Sequence, residues 1–248
     1  MMDLDSKNIL LKMLAATNKV LNDLNIEYWL DCGTLLGAIR DNQLISWDND
    51  IDLGCWKTTN DYEIKQELKS KFEELGYEVF LTDHYLNIHL KDHSDLNMDL
   101  NFYTVEIDHA VTPSSSLYPY LNDSWSKLTN HMIKSVYNGK YYLKRYSRAV
   151  RLLFKLVLWL HNVLFSLFPS KLKSKYLNAL IKLRKKTSNH KAEVVPKIYF
   201  EEIKFIQTLD GEYPIPEEAD SYLHYRYGEN WRTPVQNWDT FSEDGTVR

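Results

Sequence analysis

The stretch that decides the fold is GTLLGAIRDNQLISWDNDIDLG, residues 33–54. Gly33 and Thr34 lead through an apolar run to Arg40, and aspartates then fall at alternate positions: Asp48, Asp50 and Asp52. Alternate residues of a strand share a face, so WDNDIDLGCW predicts a strand with Ile51 and Leu53 buried and all three aspartates opposite. Carboxylates roughly 6–7 Å apart on one face repel and raise each other's pKa. That arrangement is costly unless a cation sits among them. Oxygen ligands without ligating His or Cys select Mg²⁺ or Mn²⁺ over zinc, and Mg²⁺ leaves positions open for water and phosphate.

The flanking sequence extends this reading. Residues 6–25 read as an amphipathic helix through Leu10, Leu14, Leu21 and Leu24, with Asp5 or Ser6 as N-cap. IEYWL reads as a strand, and Gly33-Thr34 as a turn opening the short helix LLGAIR. Such a turn lets backbone approach a phosphate, with helix N–H groups and the Thr34 hydroxyl as donors. A second helix is expected over 60–75, capped by Thr59 or Asn60 and stopped by Gly76. Three strands follow, YEVFLT, YLNIHLK and LNMDLNFYT, with DHSD as a hairpin turn between the last two. In the third, Asp99 lies mid-strand on the polar side, where it can join the first cluster as a further ligand or as a base. The expected class is α/β (α+β), a mixed β-sheet flanked by helices.

Charge divides the chain. From Ser124 to Ala192 there is no Asp or Glu and there are 16 Lys and Arg, leaving 14 basic residues against 34 acidic ones elsewhere. A catalytic core over 1–124, a basic helical insertion over 125–192 and a C-terminal segment over 193–248 packing back on the core are therefore expected. Basic segments meet a polyanion, an anionic membrane or the acidic body itself. Residues 140–186 read as helical and are divided by Pro169. Their apolar run LVLWLHNVLFSLF, residues 156–168, is shorter than the ~20 residues of a bilayer span. Two readings stand. A helix apolar all round is usually buried on its domain. With Arg145, Arg148 and Arg151 before it and KLKSK and KLRKK after it, the segment is also a candidate for peripheral association with an anionic membrane.

Two cysteines, Cys32 and Cys55, exclude a disulfide scaffold, and no leader pattern is evident at the N-terminus, so a cytoplasmic setting is expected. His84, His89 and His93 lack a ligating cysteine and a zinc spacing. Tyr213, Tyr222, Tyr225 and Tyr227 suit a sugar or quaternary-ammonium pocket and suit a core equally well. No nucleic-acid reader motif accompanies the basic segment, so no nucleic-acid partner is expected.

WLDCGTLLGAIRDNQLISWDNDIDLG closely resembles the signature of the LicD family, related to fukutin and fukutin-related protein within the nucleotidyltransferase superfamily. Gly33 and Thr34 match its Gly-Thr turn, Asp50 and Asp52 its Asp-x-Asp strand, Asp99 its third acid, and Trp47 and Asp48 the family's WDxDxD extension. IPEEADSYLHYRYGENWRTP is similar to the family's ending, through Pro216, Tyr222, Leu223, Tyr227 and Gly228. Asp41, after Arg40, departs from the basic or polar residue often found there.

The resemblance implies a nucleotidyltransferase-like fold and a metal-dependent transfer of a substituted phosphate, typically phosphocholine. The donor would be CDP-linked, CMP would leave, and the acceptor would be a sugar of a surface glycan, teichoic acid or lipid-linked saccharide. Asp50 and Asp52, with Asp99 and Asp48, would hold Mg²⁺ or Mn²⁺. Gly33, Thr34 and Arg40 would bind donor phosphate, and Asp99 would act as ligand or base. For Arg40, a salt bridge at the helix end is the competing role. The alternatives are a small-molecule nucleotidyltransferase that uses an NTP and releases pyrophosphate, and a non-catalytic glycan- or membrane-binding adaptor.

Overall fold

A computed structural model describes residues 2–58, 61–113, 124–141, 147–187, 192–240 and 242–248. Helix α1 (Leu4–Asp23) buries Leu10, Met13, Leu14, Thr17, Val20 and Leu21, a stripe at helical spacing. Its cap is Asp3, not Asp5 or Ser6, because the Asp3 carboxylate accepts the Ser6 N–H at 2.7 Å. Strand β1 (Tyr28–Leu30) leads to Asp31, which caps α2 (Cys32–Arg40). Gly33 and Thr34 are therefore inside the first turn of that helix, not in a turn before it.

Strand β2 (Asp50–Trp56) starts later than the alternation predicts, leaving Asp48 on the preceding turn with its N–H on the Ile45 carbonyl. Helix α3 (Asp61–Glu74) ends at Gly76, whose φ of 87° is one that glycine adopts freely. The cap expected at Thr59 or Asn60 lies outside the described residues. Strands β3 (Glu78–Leu81), β4 (Tyr85–Leu90) and β5 (His93–Glu106) follow in the predicted order. The β4–β5 turn is tighter than DHSD suggests: Leu90 pairs with His93, so His93 opens the strand.

The sheet runs β1-β2-β5-β4-β3 and is mixed: β2 and β5 are parallel, and the other pairs are antiparallel. The far end of β5 pairs with β6 (His109–Pro113), which pairs with β7 (Ala192–Pro196), so the chain returns to the sheet after the basic segment. Strands β8 (Ile203–Thr208) and β9 (Gly211–Pro216) form a separate hairpin packed on β1, before α7 (Ala219–Tyr227). Trp29 on β1 is fully buried among Trp56, Tyr103 and Phe200. It lies across Gly54, where any Cβ would enter its indole ring.

The basic segment forms α4 (Ser124–Asn138), α5 (Arg148–Ser166) and α6 (Ser170–Thr187), with Pro169 between the last two as predicted. Arg145 lies outside the described residues. Two of the three helices are anchored to the sheet by buried polar contacts. Asn138 on α4 exchanges hydrogen bonds with the Leu81 backbone, and Arg184 on α6 forks onto Asp83 at 2.7 and 2.9 Å. Helix α5 departs from the buried reading: Leu158 and Phe165 are buried, while most of its other apolar side chains face outward. At 19 residues it is also longer than the apolar run, and long and apolar enough by length and composition to cross a bilayer.

Burial pushes Asp83 upward, but the Arg184 guanidinium and His84 hold it well below the usual carboxylate range. Burial pushes His84 down to about 4, against the pull of Asp83. Both shifts act in one direction. The unfolded chain binds protons that the folded chain resists, so stability falls as pH drops from His84's ordinary 6.5 through about 4. Thermal melts across that range are expected to show this decline, and a flat profile would contradict it. Arg184→Met, which strands the Asp83 charge, is expected to cost about 3–5 kcal/mol in chemical denaturation.

Candidate active site

The acidic stretch becomes a site through the parallel register of β2 and β5. Asp52 pairs with Asp99, Asp50 with Asn97, and on the opposite face Ile51 pairs with Met98 and Leu53 with Leu100. The four apolar side chains are fully buried, which fixes the polar partners on the other face. Asp48, Asp50, Asp52 and Asp99 then line one cavity of about 550 Å³, bounded by Gly33 and Arg40.

Electrostatics register the crowding. Burial, followed by the Asp50 hydrogen bond and charge, pushes Asp48 up to about 8. Asp52 is raised well above the carboxylate range by burial and then by Asp50, Asp99, Asp48 and Asp31. Burial raises Asp99 to about 6, although Asn87 donates it a hydrogen bond at 2.8 Å. Among the described residues no three His, Cys, Asp or Glu side chains form a ready-made metal cage. The carboxylates instead stand around an open cleft. An all-oxygen, crowded donor set suits a hard divalent cation that takes one or two carboxylates and keeps its other positions for water or phosphate.

The remaining predicted residues divide. Gly33 lines the cavity, and a Cβ there would sit 2.6 Å from Asp48 Oδ2, so this glycine lets Asp48 fold over the head of α2. Thr34 is buried behind the wall, where its hydroxyl accepts the Asp52 N–H at 2.8 Å and ties α2 to β2. Arg40 lines the cavity while its guanidinium forks onto Asp41 at 2.7–3.1 Å. The competing helix-end salt bridge is thus present at the cavity wall.

Sequence reasoning missed several residues. Cys32 lines the cavity with a φ of 44°, a conformation rare for residues other than glycine and concentrated at functional sites. Burial holds its thiol well above the usual range, so it is not a poised thiolate. Asp31 is fully buried and accepts from Cys32 N–H, Tyr103 Oη and Tyr222 Oη at 2.6–2.9 Å. Arg226 donates to Tyr222 Oη and Glu193 and lies 2.9 Å from Asp244. Arg226, Glu193 and Asp244 all line the cavity, as do Trp47, Trp231 and Trp238. The signals for these residues were the two resemblances: Asp31, Cys32 and Trp47 lie in the N-terminal signature, and the C-terminal stretch singled out Tyr222 and Tyr227 beside Arg226. Tyr222 is a buried strut, Tyr227 lines the cavity, and Tyr213 is buried away from it. His84 is buried beside Asp83 and Thr82, and His89 pairs with Glu78.

Comparison with known proteins bears out the resemblance. Residues 25–138 match the family described as LicD/FKTN/FKRP, nucleotidyltransferase domain. An uncharacterized protein of Rickettsia prowazekii is 39% identical over 71 residues, 28% of this chain and 26% of that protein. Ribitol-5-phosphate transferase FKTN of Mus musculus is 29% identical over 102 residues, 40% of this chain and 21% of that protein. The chain therefore matches about a quarter or less of these relatives' length. The solution structure of the antibiotic-resistance factor ANT(2'')-Ia covers 73% of this chain and 95% of its own at 14% identity. Its TM-score of 0.34 is too low to carry an argument.

Two outcomes are expected. Asp52→Asn removes a carboxyl group whose ionisation burial and its neighbours oppose, so the metal-free variant should melt above the parent, by roughly 2–4 °C per kcal/mol of relief. Gly33→Ala should lower the melting temperature by displacing Asp48. Differential scanning calorimetry in EDTA reads both, and a destabilised Asp52→Asn would show that the repulsion is already neutralised.

Proposed function

We propose that the chain is a transferase that moves a substituted phosphate from a nucleotide-linked donor, most simply a CDP-linked one, to a sugar hydroxyl of a glycan or lipid-linked saccharide. The observation that carries the reading is the gathering of Asp48, Asp50, Asp52 and Asp99 in one cavity at the head of α2. FKTN and FKRP relatives named as ribitol-phosphate transferases support transfer of a phosphate-bearing group. The family resemblance also admits phosphocholine as that group.

Asp50 and Asp52 would hold Mg²⁺ or Mn²⁺, with Asp99 and Asp48 beside them. The bound metal would neutralise charge on the donor pyrophosphate. The Asp48 carboxylate lies over Gly33 at the first turn of α2, and donor phosphate would bind at those backbone N–H groups with Asp48 turned to the metal. Arg40 and Arg226 supply positive charge at the wall, each tempered by its carboxylate partners. The acceptor oxygen attacks the phosphorus that bears the substituent, the bond to the bridging oxygen breaks, and CMP leaves with that oxygen. Asp99 would take the acceptor proton. Tyr227, Trp231 and Trp238 wall the cavity and would contact the transferred group or acceptor.

The test is CMP release from CDP-choline, CDP-ethanolamine, CDP-glycerol and CDP-ribitol, with CTP and ATP alongside. Turnover of one CDP donor is expected with Mg²⁺, absent in EDTA, and lowered at least about 10²-fold in Asp52→Asn. Pyrophosphate release from CTP or ATP would replace this reading with an NTP-dependent nucleotidyltransferase. Intact donors that also fail to bind with Mg²⁺ would leave the adaptor.

A further inference from the structure

Helix α5 has two unlike faces. Its inner face, with Phe154, Leu158, His161, Asn162 and Phe165 at helical spacing, turns toward the protein. Asn162 exchanges hydrogen bonds with Ser135 on α4, and His161 meets Tyr176 Oη on α6 at 2.9 Å. Its outer face exposes Leu152, Leu153, Leu156, Val157, Trp159, Leu160, Val163 and Leu164, continued by Leu167, with Leu153 62% and Trp159 54% accessible. Monomeric soluble proteins rarely leave a contiguous apolar face of that extent in water.

The surroundings identify what covers it. Arg148 and Lys155 on α5 and Lys171 and Lys175 on α6 are exposed, in a stretch from Ser124 to Ala192 that holds no acidic residue. A second copy docking on this face would bring two such basic surfaces together. An anionic bilayer neutralises them and takes up the apolar side chains at the same time. The inner face is tied by Asn162 to α4 and by His161 to α6, so α5 cannot cross a bilayer without leaving both partners.

We propose that α5 lies in the plane of an anionic bilayer, its outer face at the headgroup–acyl boundary and its basic flank on the headgroups. The inference goes beyond the transferase reading and does not depend on it. Under that reading it has a consequence: the enzyme works at a two-dimensional surface, where a lipid-linked acceptor is concentrated.

The experiment is flotation of the full chain with phosphatidylcholine vesicles, with and without phosphatidylglycerol, at low and molar salt. Binding at least about tenfold stronger to the anionic vesicles, and weakened by salt, is expected. The double variant Leu153→Glu with Leu160→Glu should lose it while keeping the parent's melting temperature, because both side chains are exposed. Quenching of tryptophan emission by bromine-labelled acyl chains should fall in Trp159→Phe, which places this face against the lipid. No flotation, equal flotation with neutral vesicles, or flotation unaffected by the double variant would overturn the proposal. A dimer in light scattering that the same variant dissolves, without vesicle binding, would assign the face to a second copy. CDP-donor turnover in the soluble double variant reads the transferase proposal separately.

Discussion

The parallel pairing of β2 with β5 is the constraint on which the site depends. Side chains alternate along both strands, so burying Ile51, Leu53, Met98 and Leu100 on one face leaves Asp50, Asp52 and Asp99 together on the other. A slip of one residue would send the carboxylates into the core, where burial of unpaired charge is prohibitive. The apolar layer therefore holds the carboxylates against their own repulsion. That opposition is registered in the raised pKa values of Asp48, Asp52 and Asp99.

A second layer positions the first. Asp31 ends β1, caps α2 and receives hydroxyls from Tyr103 on β5 and Tyr222 on α7. Arg226, one turn further along α7, spans Tyr222, Glu193 on β7 and Asp244 near the C-terminus. Five separate parts of the chain are thus joined through two buried side chains beside the cavity. Such networks rigidify when every member is satisfied. The C-terminal segment belongs to the site for this reason, supplying both the network and the aromatic wall.

The basic segment obeys different rules. Helices α4 and α6 are fastened to the sheet through Asn138 and the Arg184–Asp83 pair, while α5 between them turns an apolar face outward. Apolar content alone could not distinguish a core helix from a surface one, because periodicity records which residues are apolar and not what lies beyond them. Of the basic residues in the segment, Arg148 and Lys155 are exposed beside this face, while Arg184 is buried on Asp83.

By itself the sequence determined the order and type of the elements from α1 to β5, the alternation that makes β2 a strand, and the family signature. These are local properties: side-chain period, turn residues and spacing all act within a few positions. Tertiary structure decided where Asp48 stands, that Thr34 braces β2 from behind the cavity, and that Arg40 shares its charge with Asp41. It also brought Glu193 and Arg226 to a cavity begun at Cys32, and laid α5 on the surface. Those outcomes rest on pairings across 18 positions for Thr34 with Asp52 and 191 for Asp31 with Tyr222, and on a choice between partners for Arg40, none of which a local period encodes. They are set by which buried polar groups find partners when the whole chain closes.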